Sequence, residues 1–301
     1  MHVGMVGATG FLGRQMVRVL QSRGDRVTVF SRDPLRARNA LAGVEDFRPL
    51  EGLSREACAD LDALINLAGE PVMGERWSPA FKARIRESRV RATRATVQAL
   101  AREGEAGPRV LLNASAVGYY GPRGDEAVDE SAGPGDDFLA RVCVDWEREA
   151  RAAEGLGARV VRLRIGVVLG DGGALEKMAL PFKLGLGGPM GSGRQYLPWV
   201  HVEDIARMTM FALDHPTLSG PLNLTAPEPA RSAEFAAAMG RVLHRPAFMP
   251  TPAFVLKMAV GEGAEAVLTG QRAVPRALGE AGYQFRFTDL DEALRDVLRR
   301  A

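Results

Sequence analysis

The chain has 301 residues, 46% hydrophobic and 25% charged, and its 39 Lys plus Arg against 37 Asp plus Glu leave a formal net charge of +2. That is ordinary globular composition with length for about two domains, and the near balance of charge argues against a nucleic-acid or anionic-membrane partner. No apolar run approaches the roughly 18 residues of a membrane span, and no basic region opens the N-terminus as in a signal peptide.

In chain order, short apolar runs alternate with helical patterns over the first two-thirds, which predicts a parallel sheet with helices on both faces. The predicted strands are residues 3–6, 26–30, 46–50, 63–67, 109–113 and 159–165. The last is crowded with β-branched side chains such as Val160, Val161 and Ile165, which a sheet buried on both faces favours. Predicted helices fall at 11–22, 34–41, 79–102, 138–154 and 204–213, the last with Asp204 as its N-cap. Beyond about residue 225 the alternation fades among Pro227, Pro229, Pro246, Pro250 and Pro252. Helical patterns at 232–243, 254–258, 262–268 and 290–298 follow, and the alternation at 283–287 predicts a short strand. The expected organisation is a larger α/β domain over 1–230 and a small, mostly helical domain over 231–301.

The strongest local signal is Gly7-Ala8-Thr9-Gly10-Phe11-Leu12-Gly13, which follows the first strand and opens the first helix. Glycines there permit the tight turn, the close approach of backbone to a pyrophosphate, and close packing of helix on strand. The helix N-terminus offers unpaired N–H groups to the phosphates. The spacing GxxGxxG departs from GxGxxG. At the end of the second strand, where an NAD site carries an acid for the ribose 2′-hydroxyl, this chain has Ser31-Arg32. A guanidinium suits a 2′-phosphate, and an acid would repel it, so the expected cofactor is NADP. Arg36 and Arg38 read as solvated helix-surface residues. Asn66-Leu67-Ala68-Gly69 ends the fourth strand with small residues that let the chain pass under the cofactor. The following helix carries Arg84, Arg86, Arg89, Arg91 and Arg94, most of them expected on a solvated face with pairs such as Glu87–Arg91.

Together these residues resemble the short-chain dehydrogenase/reductase superfamily, in its extended, epimerase-like branch. Further segments narrow the resemblance: Glu70-Pro71 with Arg76-Trp77, Ala114-Ser115-Ala116-Val117-Gly118-Tyr119-Tyr120-Gly121, Asp145-Trp146-Glu147, Arg164-Ile165-Gly166-Val167-Val168-Leu169-Gly170, and Trp199-Val200-His201. They are similar to an NADP-binding subgroup with a small C-terminal helical domain, whose members are labelled cell-division inhibitors or nucleoside-diphosphate-sugar epimerases. The resemblance covers the whole chain. It implies a Rossmann-type doubly wound parallel sheet with NADP(H) over its C-terminal edge. Implied cofactor contacts are the loop Gly7, Thr9, Gly10, Phe11, Leu12 and Gly13, with Ser31, Arg32, Leu67, Ala68 and Gly69. Arg89, and with it Arg84, is implied as a phosphate or ribose contact. Ala114 and Ser115 are implied beside the nicotinamide ribose, and Gly166, Val167 and Val168 beside the carboxamide.

The superfamily's acid/base is a Tyr with a Lys four residues later, the ammonium lowering the phenol's pKa from about 10. Four residues after Tyr119, Tyr120, Tyr196 and Tyr283 stand Arg123, Gly124, Val200 and Phe287, so the pair is absent. Only four lysines occur at all: Lys82, Lys177, Lys183 and Lys257. Where the pair belongs the chain has Cys143 and Glu147. Three accounts follow. Ser115, Tyr119, Tyr120 or His201 supplies the proton for reduction of a small carbonyl; or the protein binds NADP(H) without turnover as a regulator; or it is a sugar-nucleotide epimerase with displaced catalysts. Plain structural roles compete at each position: packing for the two tyrosines, a backbone bond for His201, a buried apolar role for Cys143. No metal-ligand cluster is present. Residues 180–182, the glycine run 185–193 and Trp199 are candidates for an apolar pocket or a mobile lid, or for loops shaped only by turn requirements. Two cysteines, Cys58 and Cys143, suit a reducing compartment, and the expected location is cytoplasmic. The substrate and the oligomeric state are not legible.

Overall fold

The computed structural model describes residues 1–102 and 104–299. Its elements alternate as the periodicity predicts: β1 (His2–Val6), α1 (Phe11–Ser22), β2 (Arg26–Ser31), α2 (Pro34–Ala40), β3 (Asp46–Pro49), β4 (Ala63–Asn66), α3 (Pro79–Gln98), β5 (Val110–Ala116), α4 (Phe138–Arg151), β6 (Arg159–Ile165), α5 (Gly173–Lys183), α6 (Val202–Asp214) and β7 (Gly220–Leu224). Among the described residues these strands form one seven-stranded sheet in the order β7-β6-β5-β4-β1-β2-β3, every neighbouring pair parallel. The chain steps outward from β1 through β3, then crosses back to β4 on the other side of β1. That reversal opens a crevice at the carboxyl ends of β1 and β4, where open α/β sheets bind ligands.

Each face of the sheet buries its own layer. Met16, Val17 and Leu20 of α1 and Ile205, Met208 and Leu213 of α6 share one apolar cluster with strand residues such as Val3, Met5 and Leu163. On the other face, Val97 of α3 and Ala150 of α4 close over Leu64, Leu111 and Val160. Helix α3 starts cleanly because Ser78 accepts the Phe81 N–H and Pro79 sits in the first turn. As expected, most of its arginines are on a solvated face: Arg84, Arg86, Arg91 and Arg94 are exposed, and Arg89 is half-buried. Arg86 pairs with Asp145 at 2.5 Å and Arg94 with Glu149 at 2.9 Å, tying α3 to α4, while the i,i+4 pair Glu87–Arg91 forms at 2.7 Å.

Two elements were not foreseen and two expectations change. The seventh strand was hidden because Pro221 and Asn223 disguise a run that pairs along its length with β6. Helix α5 holds Pro181 in its last turn. Helix α6 begins at Val202, and His201 rather than Asp204 caps it, accepting the Glu203 N–H at 3.2 Å. Residues 283–287 form no strand. Buried Asp204 instead accepts the N–H groups of Arg286 and Phe287 at 3.1 and 2.9 Å and the Tyr283 hydroxyl at 3.0 Å. A carboxylate thus does the work of a neighbouring strand, and the alternation records which side chains turn inward.

The C-terminal part contributes α7 (Ser232–Leu243), α8 (Ala253–Val260), α9 (Glu265–Leu268), α10 (Arg276–Glu280) and α11 (Leu290–Arg299). Phe182, Trp199, Phe235, Met239, Phe287 and Leu294 share one buried cluster that crosses residue 230. Arg272–Ala273 pairs in parallel with Ala127–Val128, which stitches the tail to the loop between β5 and α4. The tail's expected range runs on to Arg300 and Ala301, which lie outside the described residues. Among the described residues no helix is long and apolar enough to cross a membrane, and no group of three or more potential ligands is placed to hold a metal.

Candidate functional site

The turn between β1 and α1 is shaped by what its glycines lack. Gly7 has a φ of +85°, and a Cβ there would lie 2.8 Å from the Leu67 carbonyl carbon and 2.9 Å from the Ala68 nitrogen. The two loops of the crevice therefore touch through Gly7. A Cβ on Gly13 would come within 2.4 Å of the Gly7 carbonyl oxygen, so only glycine lets α1 start this close to the loop. Gly10 meets the same oxygen at 3.3 Å, a milder constraint. The Gly10 N–H donates to the Gly7 carbonyl at 3.1 Å, but helix α1 has no side-chain cap and no acid in its first turn, so the N–H groups of Phe11 and Leu12 and the positive end of the helix are left open. Thr9 is half-buried, its carbonyl accepting from Arg14 at 2.6 Å.

Beyond β2, the Ser31 hydroxyl accepts the Asp33 N–H at 3.2 Å and helps turn the chain. Arg32 is exposed, with no hydrogen bond or ion pair to another described residue. Gly69, after Leu67 and Ala68, is open to solvent but backed by Arg89: a Cβ there would lie 3.1 Å from the guanidinium carbon. Arg89 stacks over the Trp146 ring at 5.0 Å and donates to the Ile85 carbonyl at 2.8 Å. Burial pulls its pKa below the ordinary value, and no described carboxylate lies within ion-pair distance. Arg84 does not join it. Arg84 is exposed and pairs with Glu75 at 2.6 Å, and it does not line the cleft.

A buried chain of hydrogen bonds fixes the β4 end. Asn66 donates to Asn113 at 2.7 Å and to Thr93 at 3.0 Å, its own carbonyl accepts the Ala68 N–H at 3.1 Å, and Trp146 donates to Thr93 at 2.9 Å. Four elements are locked by this network. Sequence reasoning missed it, although two asparagines at the ends of adjacent apolar strands were its visible trace.

Inward from the glycine loop lies a cleft of about 420 Å³. Phe11 and Leu12 line its outer end, Arg89, Cys143 and Trp146 one wall, and Gly166, Val167 and Val168 another. Gly166 has no room for a side chain, since a Cβ would stand 2.2 Å from the Pro198 carbonyl oxygen. The far wall comes from residues 195–198 and 266–271. There Gln195 donates to the carbonyls of Met190 at 3.0 Å and Val267 at 2.9 Å, which fixes its amide orientation and leaves its Oε1 buried without a protein partner. The segments expected to line a pocket do not do so. Phe182 packs under Gly187, Trp199 is buried with its indole donating to Glu228 at 3.0 Å, and both belong to the apolar cluster beneath.

The four candidate proton donors are not gathered at this cleft. Ala114 and Ser115 are buried in β5, and the Ser115 hydroxyl donates to Glu147 at 2.7 Å. Glu147, one turn beyond Cys143, is paired with Arg164 at 2.8 Å and 3.0 Å and with Arg162 at 3.3 Å. Burial opposes the Arg164 charge, but the bonds to Glu147 outweigh it and the Arg164 pKa rises. Arg164 donates in turn to the Tyr120 hydroxyl at 2.9 Å, and that hydroxyl donates to Asn223 at 2.7 Å. Burial pushes Tyr120 up to about 12. The Tyr119 ring lies 3.6 Å from the Arg164 guanidinium carbon, a packing position. His201 is buried behind the cleft, capping α6, 3.2 Å from Asp296 and stacked on Phe287 at 3.8 Å. Cys143 does line the cleft. Burial first, then the Glu147 charge, push its thiol up to about 12, so it stays protonated at neutral pH.

Comparison with known proteins agrees with this geometry. Residues 3–224 match the model of the NAD dependent epimerase/dehydratase family, and residues 251–297 match a Domain of unknown function (DUF1731). The chain is 43% identical over 297 residues to Epimerase family protein Mb2239 of Mycobacterium bovis, spanning 97% of this chain and 96% of that one. It is 38% identical to Epimerase family protein YfhF of Bacillus subtilis, spanning 99% and 98%. A crystal structure of human epimerase family protein SDR39U1 with NADPH superposes with a TM-score of 0.91 at 36% identity over 100% of both chains. The chain belongs to the NAD dependent epimerase/dehydratase family, in the epimerase-like branch of the short-chain dehydrogenases/reductases.

Proposed function

We propose that the protein is an NADP(H)-dependent oxidoreductase that reduces a small carbonyl compound without a Tyr-x-x-x-Lys pair. The observation that carries this reading is the uncapped N-terminus of α1, flanked by the unpaired Arg32 guanidinium. The donors fit a dinucleotide: close-packed glycines leave room for a pyrophosphate, and Arg32 suits a 2′-phosphate. Arg89 adds an unpaired charge where the crevice meets the cleft. NADPH bound there would supply hydride. The chain's own residues hold the carbonyl in a largely apolar cleft and provide the proton. Ser115 and Tyr120 have their hydroxyls committed to Glu147 and Asn223, which leaves Cys143 Sγ as the cleft-wall position that holds a proton at neutral pH. A protonated donor suits carbonyl reduction better than alcohol oxidation. A soluble small-molecule substrate, no nucleic-acid partner and a cytoplasmic location belong to the same reading, supported by near-neutral charge and two free cysteines.

A second reading, NADP(H) binding without turnover, is favoured by those same committed hydroxyls. Absorbance of NADPH against a panel of aldehydes and ketones separates the two. Turnover slowed by Cys143→Ala at unchanged NADPH affinity supports reduction, and tight binding with no turnover on any member favours the second. Arg32→Asp is expected to weaken NADPH by about 10- to 100-fold, the loss of a charge-assisted bond, and to leave NADH affinity unchanged. Equal affinity of the parent protein for NADPH and NADH would sink the cofactor assignment.

A further inference from the structure

Helix α8 is apolar and buries none of its residues. Its Phe254 and Met258 lie one turn apart and are 65% and 72% exposed, and Phe248 and Met249 just before it are 77% and 45% exposed. Leu184 and Leu186, after α5, are exposed as well. The two segments form one surface. The Met249 N–H donates to the Gly187 carbonyl at 3.1 Å, the Thr251 N–H to Pro189 at 2.9 Å, and the Gly191 N–H back to Thr251 at 2.9 Å. A contiguous apolar face of this kind on a monomer marks an interaction site.

The charge around it selects the partner. Three of the chain's four lysines, Lys177, Lys183 and Lys257, stand on α5 and α8, and neither Lys183 nor Lys257 has an ion-pair partner among the described residues. Four residues before Phe248, within ~14 Å of extended chain, His244 opens onto a cavity of about 230 Å³ lined also by Arg241, Arg295 and Arg299. Asp291 answers Arg241 at 2.6 Å and Arg295 at 3.7 Å, and Arg299 is left unpaired among the described residues. A second copy of the chain is the competing occupant, and the unpaired lysines favour an anionic partner over it.

We propose that this face docks on an anionic lipid surface, with the aromatic and Met side chains at the acyl boundary, Lys183 and Lys257 at the headgroups, and the arginine cavity taking a phosphate of the bilayer. A face of this kind would lie on a membrane without crossing it, since α8 is only eight residues long. The whole-chain charge of +2 argued against such a partner because it averages away a local basic field.

Flotation of the purified protein with lipid vesicles tests this. The expected result is co-flotation with phosphatidylcholine vesicles containing phosphatidylglycerol, much less with phosphatidylcholine alone, and weakening as salt rises. The Lys183→Ala/Lys257→Ala pair should lower the partition coefficient on anionic vesicles about 25-fold, about fivefold for each charge. The Phe254→Ser/Met258→Ser pair should remove binding at unchanged Tm, because both side chains are exposed. Three results would overturn the proposal: no flotation with either vesicle type, flotation that survives both double variants, or a dimer in sedimentation velocity that Phe254→Ser converts to monomer.

Discussion

The open glycine-loop end of the molecule and the buried network around Glu147 are built on opposite principles. At the glycine loop, polar groups are left open: α1 has no side-chain cap, Arg32 has no partner among the described residues, and Arg89 meets one carbonyl and an indole face. Buried apart from the cleft lining, around Ser115, Tyr120 and Glu147, the polar groups answer one another. Open, preorganised donors cost stability unless a ligand completes them. A satisfied buried network gains specificity and rigidity and offers a substrate little. The difference explains why cofactor binding is the readable half of this protein's chemistry.

The largest effect should come from breaking the buried network. Glu147→Ala leaves Arg164 buried without its carboxylate and is expected to cost about 3–5 kcal/mol, read from urea unfolding, with NADPH affinity retained by the folded fraction. A cost below about 1 kcal/mol would dissolve the contrast between the two regions. Gly13→Ala acts at the glycine loop. Its Cβ would press on the Gly7 carbonyl, with an expected cost of about 1–3 kcal/mol and a loss of at least tenfold in NADPH affinity by fluorescence titration. Unchanged NADPH affinity would show that the loop does not carry the cofactor.

The smallest effect concerns His201. Burial lowers its pKa below the ordinary 6.5, so the folded chain declines a proton that the unfolded chain accepts. Stability present above about pH 6.5 is therefore lost as pH falls through the folded pKa. His201→Asn keeps a capping oxygen and should flatten the fall in Tm between about pH 7 and pH 5 by about 1–2 °C. A steeper fall in the variant would contradict a buried neutral imidazole.

What the sequence revealed follows the same division. The glycine turn was legible because its constraints are local: strand, turn and helix start lie within a dozen residues, and Gly7 and Gly13 are needed for contacts made inside that span or with one neighbouring loop. Six of the sheet strands carried their own apolar pattern. The network around Glu147 was not legible. Nothing near Glu147 in sequence shows that Arg164 answers it across the sheet, or that Tyr120 is spoken for by Asn223, 103 residues away. The alternation at 283–287 misled for a related reason. Period-two burial was present, but the partner for its backbone was the carboxylate of Asp204, 82 residues earlier in the chain.

Residues 266–271 and the double clamp made by Gln195 divide the labour of this protein along its chain. The glycine turn proposed to cradle the cofactor is written in the first hundred residues, whereas one wall of the cleft is written near the end, inside the region matching a domain of unknown function. Inheritance can treat these as separate letters. A lineage can redraft that wall and leave the glycine turn untouched, because no backbone contact described above ties one to the other.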